Sequence, residues 1–303
     1  MADTSKTPVA RLRAALSTPG NIIISPGVYD GLTARIALKA GFDCLYMTGA
    51  GTTMSRLGMP DLGIATLNDM RDNAAMIASL DTSIPLVADA DTGFGGPLMV
   101  GRTVSQYMRA GVAALHLEDQ VQSKRCGHLM NKELASEDEF LSRIRAAVQA
   151  REKEKGDIVI IAGTDALETL GYDAARDRLR KALDIGADVA FLEGIKTKDQ
   201  GRKICEGMAP TPCLYNCVPG GVSPVLSVQE AQHLGYRMII LPAFALGPVY
   251  EAVEEAARFL RDTGISAESK TKASPKDVFT VCGLAECIAF DLAAGGMSFS
   301  KGV

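Results

Sequence analysis

PLVADADTGFGGPLMVGRTVSQYMRAGVAALHLED, residues 85–119, is the stretch that decides the fold. Its apolar run at 85–89 is strand-sized, and so is the run at 114–117. Between them, residues 100–110 carry apolar side chains at helical spacing. The pattern closes on Ala110-Gly111, and glycine just past the last periodic residue is a helix stop, because it takes the left-handed backbone at no steric cost. Strand, helix and strand in this order make a parallel pair joined by a crossover helix.

The same alternation extends in both directions. Strand-sized apolar runs occur at 21–25, 44–47, 158–162, 189–192, 213–216 and 238–241. Amphipathic segments lie at 31–40, 67–79, 137–153, 174–185, 198–207 and 228–234. With the opening unit this makes eight strands, and eight β/α units in about 250 residues fit a (β/α)8 TIM barrel. A doubly wound open sheet is the alternative. Its dinucleotide fingerprint is missing, because Gly49-Ala50-Gly51 is followed by Met54 where a third glycine would stand. The chain is expected to be a single barrel domain, 1–303, with a C-terminal helical extension at about 267–303. The helical part, 275–294, carries Val278, Phe279, Val281, Cys282, Leu284, Ile288 and Leu292. Something must cover them, either the chain's own barrel or a neighbouring subunit.

Composition narrows the function classes. A net charge of −4 with no clustered basic tract argues against a nucleic-acid partner. The polar N-terminal ten residues contain no apolar signal region, and no run approaches the roughly 20 apolar residues of a membrane span. Seven cysteines, an odd number without a CxxC pair, are neither a disulfide framework nor a zinc cage. A cytoplasmic location is expected.

Polar residues gather where strands should end. Asp89 and Asp91 close the third run, and alternation would point both the same way. His116 and Glu118 close the fourth with the same parity. Three carboxylates and a histidine on neighbouring strands suit Mg²⁺, or Mn²⁺. Tyr46 and Thr48 close the second run, and the small residues Gly49 and Ala50 leave backbone N–H groups open to an anion. Glu193 and Asn216 end the sixth and seventh runs. Two long connections, 48–65 and 118–137, follow strand ends, and the second carries Lys124-Arg125-Cys126-Gly127-His128. Flanking cations lower a thiol's pKa, so this pentapeptide is expected to form a mobile loop with a tuned proton donor.

Asp89-Ala90-Asp91-Thr92-Gly93, His116-x-Glu118-Asp119-Gln120 and Lys124-Arg125-Cys126-Gly127-His128 together resemble the isocitrate lyase/phosphoenolpyruvate mutase superfamily. The resemblance runs from about residue 25 to the C-terminus. It points to the branch of fungal 2,3-dimethylmalate lyase and oxaloacetate hydrolase, beside 2-methylisocitrate lyase. It implies a barrel whose eighth helix is swapped between subunits of a homotetramer. It implies a carbon–carbon lyase or a 2-oxo acid hydrolase acting on a small carboxylate. Asp91 is implied to bind Mg²⁺ directly, with Asp89 and Glu118 acting mainly through water. Thr48, Gly49 and Ala50 are implied to hold the 2-oxo acid portion, followed by Asp61. Gly127, His128 and Asn216 are implied to hold a second carboxylate, with Glu193 as a further polar contact. Cys126 is implied to protonate the leaving carbanion, tuned by Lys124 and Arg125, with Tyr46 as candidate base and His116 among the catalytic group. Gly163 stands where the family has an arginine, Pro219 where it has a glutamate, and Pro242 where the hydrolases have a serine. Gly163 is therefore expected to open the pocket.

Overall fold

The computed structural model describes residues 7–299; residues 1–6 and 300–303, the ends of the expected domain, lie outside the described residues. Eight parallel strands form a closed barrel in sequence order. They are β1 (Ile23–Val28), β2 (Leu45–Met47), β3 (Leu86–Asp89), β4 (Ala114–Leu117), β5 (Val159–Thr164), β6 (Val189–Leu192), β7 (Cys213–Asn216) and β8 (Met238–Leu241). β8 returns to β1, pairing Ile23 with Met238 and Pro26 with Leu241. Helices α1 (Pro8–Ser17), α2 (Gly31–Lys39), α3 (Gly49–Leu57), α4 (Leu67–Leu80), α5 (Pro97–Arg109), α6 (Glu137–Lys153), α7 (Ala166–Thr169), α8 (Tyr172–Ile185), α9 (Lys198–Met208) and α10 (Val228–Leu234) connect and surround them. After β8 come α11 (Leu246–Thr263), α12 (Pro275–Val281) and α13 (Leu284–Ala293). Among the described residues, no helix is long and apolar enough to cross a membrane.

Strands buried on both faces explain why the runs read as continuously apolar. Inside the barrel, Tyr46, Val87, Ile161, Val189, Phe191, Leu214, Met238 and Ile240 form one cluster. α1 adds Leu12 and Leu16 to that cluster beside Ile23. A second shell of Val, Leu and Ala side chains lies between strands and helices. β1 runs through Pro26-Gly27, a pair that imitates a turn in sequence. A Cβ on Gly27 would lie 2.5 Å from the carbonyl oxygen of Pro242, so glycine is what lets the strand close against the chain leaving β8.

Several elements differ from expectation, α1 and α7 among them, which correspond to none of the expected segments. The connection 48–65 contains α3, whose glycine-rich start hides it; the Thr48 hydroxyl caps it by accepting the Gly51 N–H at 3.3 Å. α11 lies where no helix was foreseen, and every residue from 247 to 263 is exposed, including Val249, Tyr250, Val253, Phe259 and Leu260. The helical tail breaks in two at Gly283, which takes a left-handed φ of 88°.

Candidate active site

At the C-terminal mouth of the barrel a cavity of about 230 Å³ is lined by residues from most strands. Tyr46 and Thr48 come from the end of β2, Asp89 from β3, His116 and Glu118 from β4, Phe191 and Glu193 from β6, and Asn216 from β7. The loop after β4 contributes Lys124, Cys126, Gly127 and His128, and the segment after α3 contributes Asp61.

Asp89, His116 and Glu118 offer ligand atoms that all lie within 4.8 Å of one another. His116 Nε2 is 3.2 Å from Glu118 Oε1, and its Nδ1 is 3.7 Å from Asp89 Oδ1. The Asp89 carboxylate accepts the Gly49 N–H at 3.1 Å and the Asp91 N–H at 2.9 Å. Gly49 therefore spends its donor within the protein rather than on an anionic ligand. Burial pushes Glu118 up to about 7, although His116 and Lys124 pull it down. Burial alone would lower the His116 pKa, but Asp89 and Glu118 raise it to about 9. Crowded, buried carboxylates of this kind call for positive charge, which a protonated His116 supplies without metal; two hard oxygen donors and an imidazole freed of that proton would fit a divalent cation.

Asp91 departs from the parity expectation. Strand pairing ends at Asp89, and Asp91 has a φ of 47°, so alternation no longer sets its direction. Its carboxylate lies 2.6 Å from Lys124 Nζ, which also reaches Asp61 Oδ1 at 2.7 Å. Asp91 thus stands beside the group of Asp89, His116 and Glu118. Burial pushes Asp91 up to about 6 despite Lys124, with Asp89 and Asp61 adding to the rise.

The thiol is not tuned in the direction the flanking cations suggested. Burial pushes Cys126 up to about 11 and outweighs Lys124, which is committed to two carboxylates. Arg125 is exposed and donates to the Met130 carbonyl at 3.2 Å instead of facing the cavity. Cys126 is therefore a thiol, not a thiolate, at neutral pH. Tyr46 Oη lies 3.5 Å from His116 Nδ1, with the two rings stacked. Burial, then Asp89 and Glu118, hold its phenol well above 10, so it keeps its proton.

Across the cavity, Asn216 Nδ2 donates to Glu193 Oε2 at 2.8 Å and lies 3.2 Å from His128 Nε2. The Val222 N–H donates to His128 Nδ1 at 3.3 Å. Asn216 Oδ1 is buried without a partner among the described residues. A Cβ on Gly127 would meet the Glu193 side chain at 3.0 Å, so glycine allows the loop to approach so closely.

Phe191 was overlooked, although it shares strand parity with Glu193. Its ring meets His116 edge-on, with centroids 5.5 Å apart. A Cβ on Gly163 would lie 3.2 Å from Phe191 Cδ1 and 3.3 Å from the Leu117 carbonyl oxygen. A side chain at 163 would therefore press on Phe191 and the Leu117 carbonyl, and Gly163 itself does not line the cavity. Gln120, Lys132 and Asp165 were also overlooked. They lie behind the cavity wall, where sequence parity offers no signal.

The sequence pattern of the phosphoenolpyruvate phosphomutase family matches residues 12–261. The 2,3-dimethylmalate lyase of Eubacterium barkeri is 38% identical over 260 residues, which cover 85% of this chain and 88% of that protein. A crystal structure of 2,3-dimethylmalate lyase, described as a PEP mutase/isocitrate lyase superfamily member, aligns with a TM-score of 0.96 at 53% identity, over 98% of this chain and 99% of that one. A structure of oxaloacetate acetylhydrolase in complex with the inhibitor 3,3-difluorooxalacetate aligns with a TM-score of 0.94 at 50% identity, over 97% of this chain and 100% of that one. The extent of the match and the closed barrel agree: the chain belongs to the phosphoenolpyruvate phosphomutase family of the PEP mutase/isocitrate lyase superfamily.

Proposed function

We propose that this protein is a Mg²⁺-dependent carbon–carbon lyase. It cleaves a 2-hydroxy di- or tricarboxylate, of substituted-malate or methylisocitrate type, to a 2-oxo acid and a carboxylate. The observation that carries this reading is the Cys126 side chain in the same cavity as the Asp89, His116 and Glu118 cluster. Mg²⁺, or Mn²⁺, held by that cluster would act as a Lewis acid on the oxygen of the 2-oxo acid being formed.

Thr48 and Ala50 line the side that takes the 2-oxo acid portion. Tyr46 holds its own proton and serves as a hydrogen-bond donor, so the substrate hydroxyl passes its proton to a carboxylate. The bond to the neighbouring carbon then breaks and its electron pair leaves with the departing fragment. His128, Asn216 and the chain at Gly127 steady that fragment's carboxylate, and the Cys126 thiol delivers a proton to its carbon. Lys124 balances Asp61 and Asp91 beside the reaction. Glu193 orients Asn216.

The similarity to oxaloacetate acetylhydrolase supports a second reading, hydrolysis of a 2-oxo acid. Pro242 lines the cavity and offers no hydroxyl there, which favours the lyase. The test is a panel of substituted malates and isocitrates with Mg²⁺, following 2-oxo acid release. Turnover sensitive to a chelator supports the lyase, oxalate from oxaloacetate identifies the hydrolase, and no turnover of any member refutes both.

The exposed apolar face of α11 supports a homotetramer of helix-swapped dimers. Seven cysteines without a disulfide support a cytoplasmic enzyme.

A further inference from the structure

The loop that carries Cys126 has almost no regular structure of its own. Its base is zipped by the Ala135 N–H to the Asp119 carbonyl at 2.8 Å and the Val121 N–H to the Glu133 carbonyl at 3.0 Å. Gln120 and Leu134 form the single bridge between them. Nothing in this base fixes the tip, which is held by the Cys126 N–H donating to the Asp61 carbonyl at 3.2 Å and by side chains.

Lys124 holds it to Asp61 and Asp91 and His128 to Asn216 and the Val222 N–H, while two further side chains converge on one carboxylate. Asp165 follows β5 directly, and its N–H donates to Asp119 Oδ1 at 2.8 Å, which anchors it to the barrel wall. Its side chain is 1% exposed and receives Lys132 Nζ at 2.7 Å on one oxygen and Gln120 Nε2 at 2.7 Å on the other. Lys132 Nζ also donates to the Gly127 carbonyl at 2.7 Å. Gln120 grips the backbone of Arg125 from both sides: its amide oxygen accepts the Arg125 N–H at 3.0 Å and its amide nitrogen donates to the Arg125 carbonyl at 2.9 Å. Asp165 therefore holds the residues on either side of Cys126, through Gln120 at Arg125 and through Lys132 at Gly127. None of the three lines the cavity.

We propose that Asp165, Lys132 and Gln120 are positioning residues that form a latch, locking the loop with the Cys126 thiol over the cavity. Part of this inference rests on the proposed lyase reaction, but the latch itself can be tested without turnover. The Arg125–Cys126 peptide bond is masked while Gln120 holds the Arg125 carbonyl, so tryptic cleavage after Arg125 reports the open loop.

The variants are Lys132→Met, which keeps chain length without the ammonium, Lys132→Arg as a conservative rescue, and Glu168→Gln as a control. Glu168 lies 3.4 Å from Lys132 and is 36% exposed, so it sits at the margin of the network. The expected result is cleavage after Arg125, and amide exchange at 122–132, faster by roughly tenfold or more in Lys132→Met, restored towards wild type in Lys132→Arg and little changed in Glu168→Gln. Native circular dichroism and a cooperative melt at the assay temperature separate loop release from misfolding, since Asp165 loses its ammonium and the melting temperature falls. On turned-over substrate, kcat should fall by roughly 10–100-fold with a smaller effect on KM. In D₂O, deuteration of the leaving carbon should lose facial selectivity, because bulk solvent then replaces the positioned thiol. Unchanged proteolysis and exchange at 122–132 in Lys132→Met would overturn the latch. A released loop in an enzyme inactive on every substrate would leave the latch standing and sink the lyase reading alone.

Discussion

Cys126 should react as a buried acid, and the structure sets how far. Its pKa of about 11 lies two pH units above the 9.0 of an unperturbed thiol, so near neutrality its thiolate is scarcer by about 100-fold. Raised pKa means that the protonated form, the one able to donate, persists throughout neutral pH and is lost only as pH rises towards 11. Removing the thiol as Cys126→Ser deprives the carbanion of its acid, a loss of roughly 10²–10⁴ in kcat, or about 3–5 kcal/mol of transition-state stabilisation. Metal affinity should stay within about twofold, because the thiol is not in the Asp89, His116 and Glu118 group. The assay pairs steady-state kinetics from pH 7 to 10.5 with residue-resolved alkylation by iodoacetamide. Mass spectrometry is needed, because Cys282 and Cys287 are exposed and react too. Wild-type kcat should show no loss from thiol ionisation below about pH 10, and alkylation of Cys126 should rise about tenfold per pH unit up to that point. A thiol that titrates below pH 8, or a serine variant with unchanged kcat, would refute the reasoning.

Tyr46→Phe should lower kcat by no more than about tenfold, as befits a donor; a loss of roughly 10³ or more would make the phenol the base after all. Lys124→Met leaves Asp61 and Asp91 facing each other without their 2% exposed partner, and should lower stability by about 3–5 kcal/mol in urea unfolding with a chelator present. Gly163→Arg drives a side chain against Phe191 and the Leu117 carbonyl, costing about 1–3 kcal/mol, and Phe191→Ala in the same chain should recover most of it. A double variant as unstable as Gly163→Arg alone would show that Phe191 is not the obstacle.

Strand positions were open to sequence reading because burial on both faces writes an uninterrupted apolar run. β4, β6, β7 and β8 begin and end where those runs do. The polar residues at the strand ends, Asp89, His116, Glu118, Glu193 and Asn216, do meet in one cavity. What sequence could not convey was direction and depth. Asp91 lies past the last paired residue, where parity stops applying, and its left-handed backbone turns it to Lys124. The Cys126 neighbourhood is cationic along the chain but low in dielectric in space, and only the fold reveals which prevails. Gly163 reads as a gap because Phe191, 28 residues further on, is invisible from its position. α11 carries an amphipathic pattern as clear as that of α5, although none of its residues is buried in this chain.

α11 also bears on how the cavity is shaped. Its first residue, Leu246, lines the cavity, while the seventeen residues that follow stand in solvent. The helix is in effect a lever arm about 25 Å long with its short end at the reaction site, at 1.5 Å per residue. A few degrees of swing at the far end is a fraction of an ångström at Leu246, yet that is enough to alter packing around a small substrate. A neighbouring copy that covered the arm would bear on Leu246, and specific activity should then track enzyme concentration.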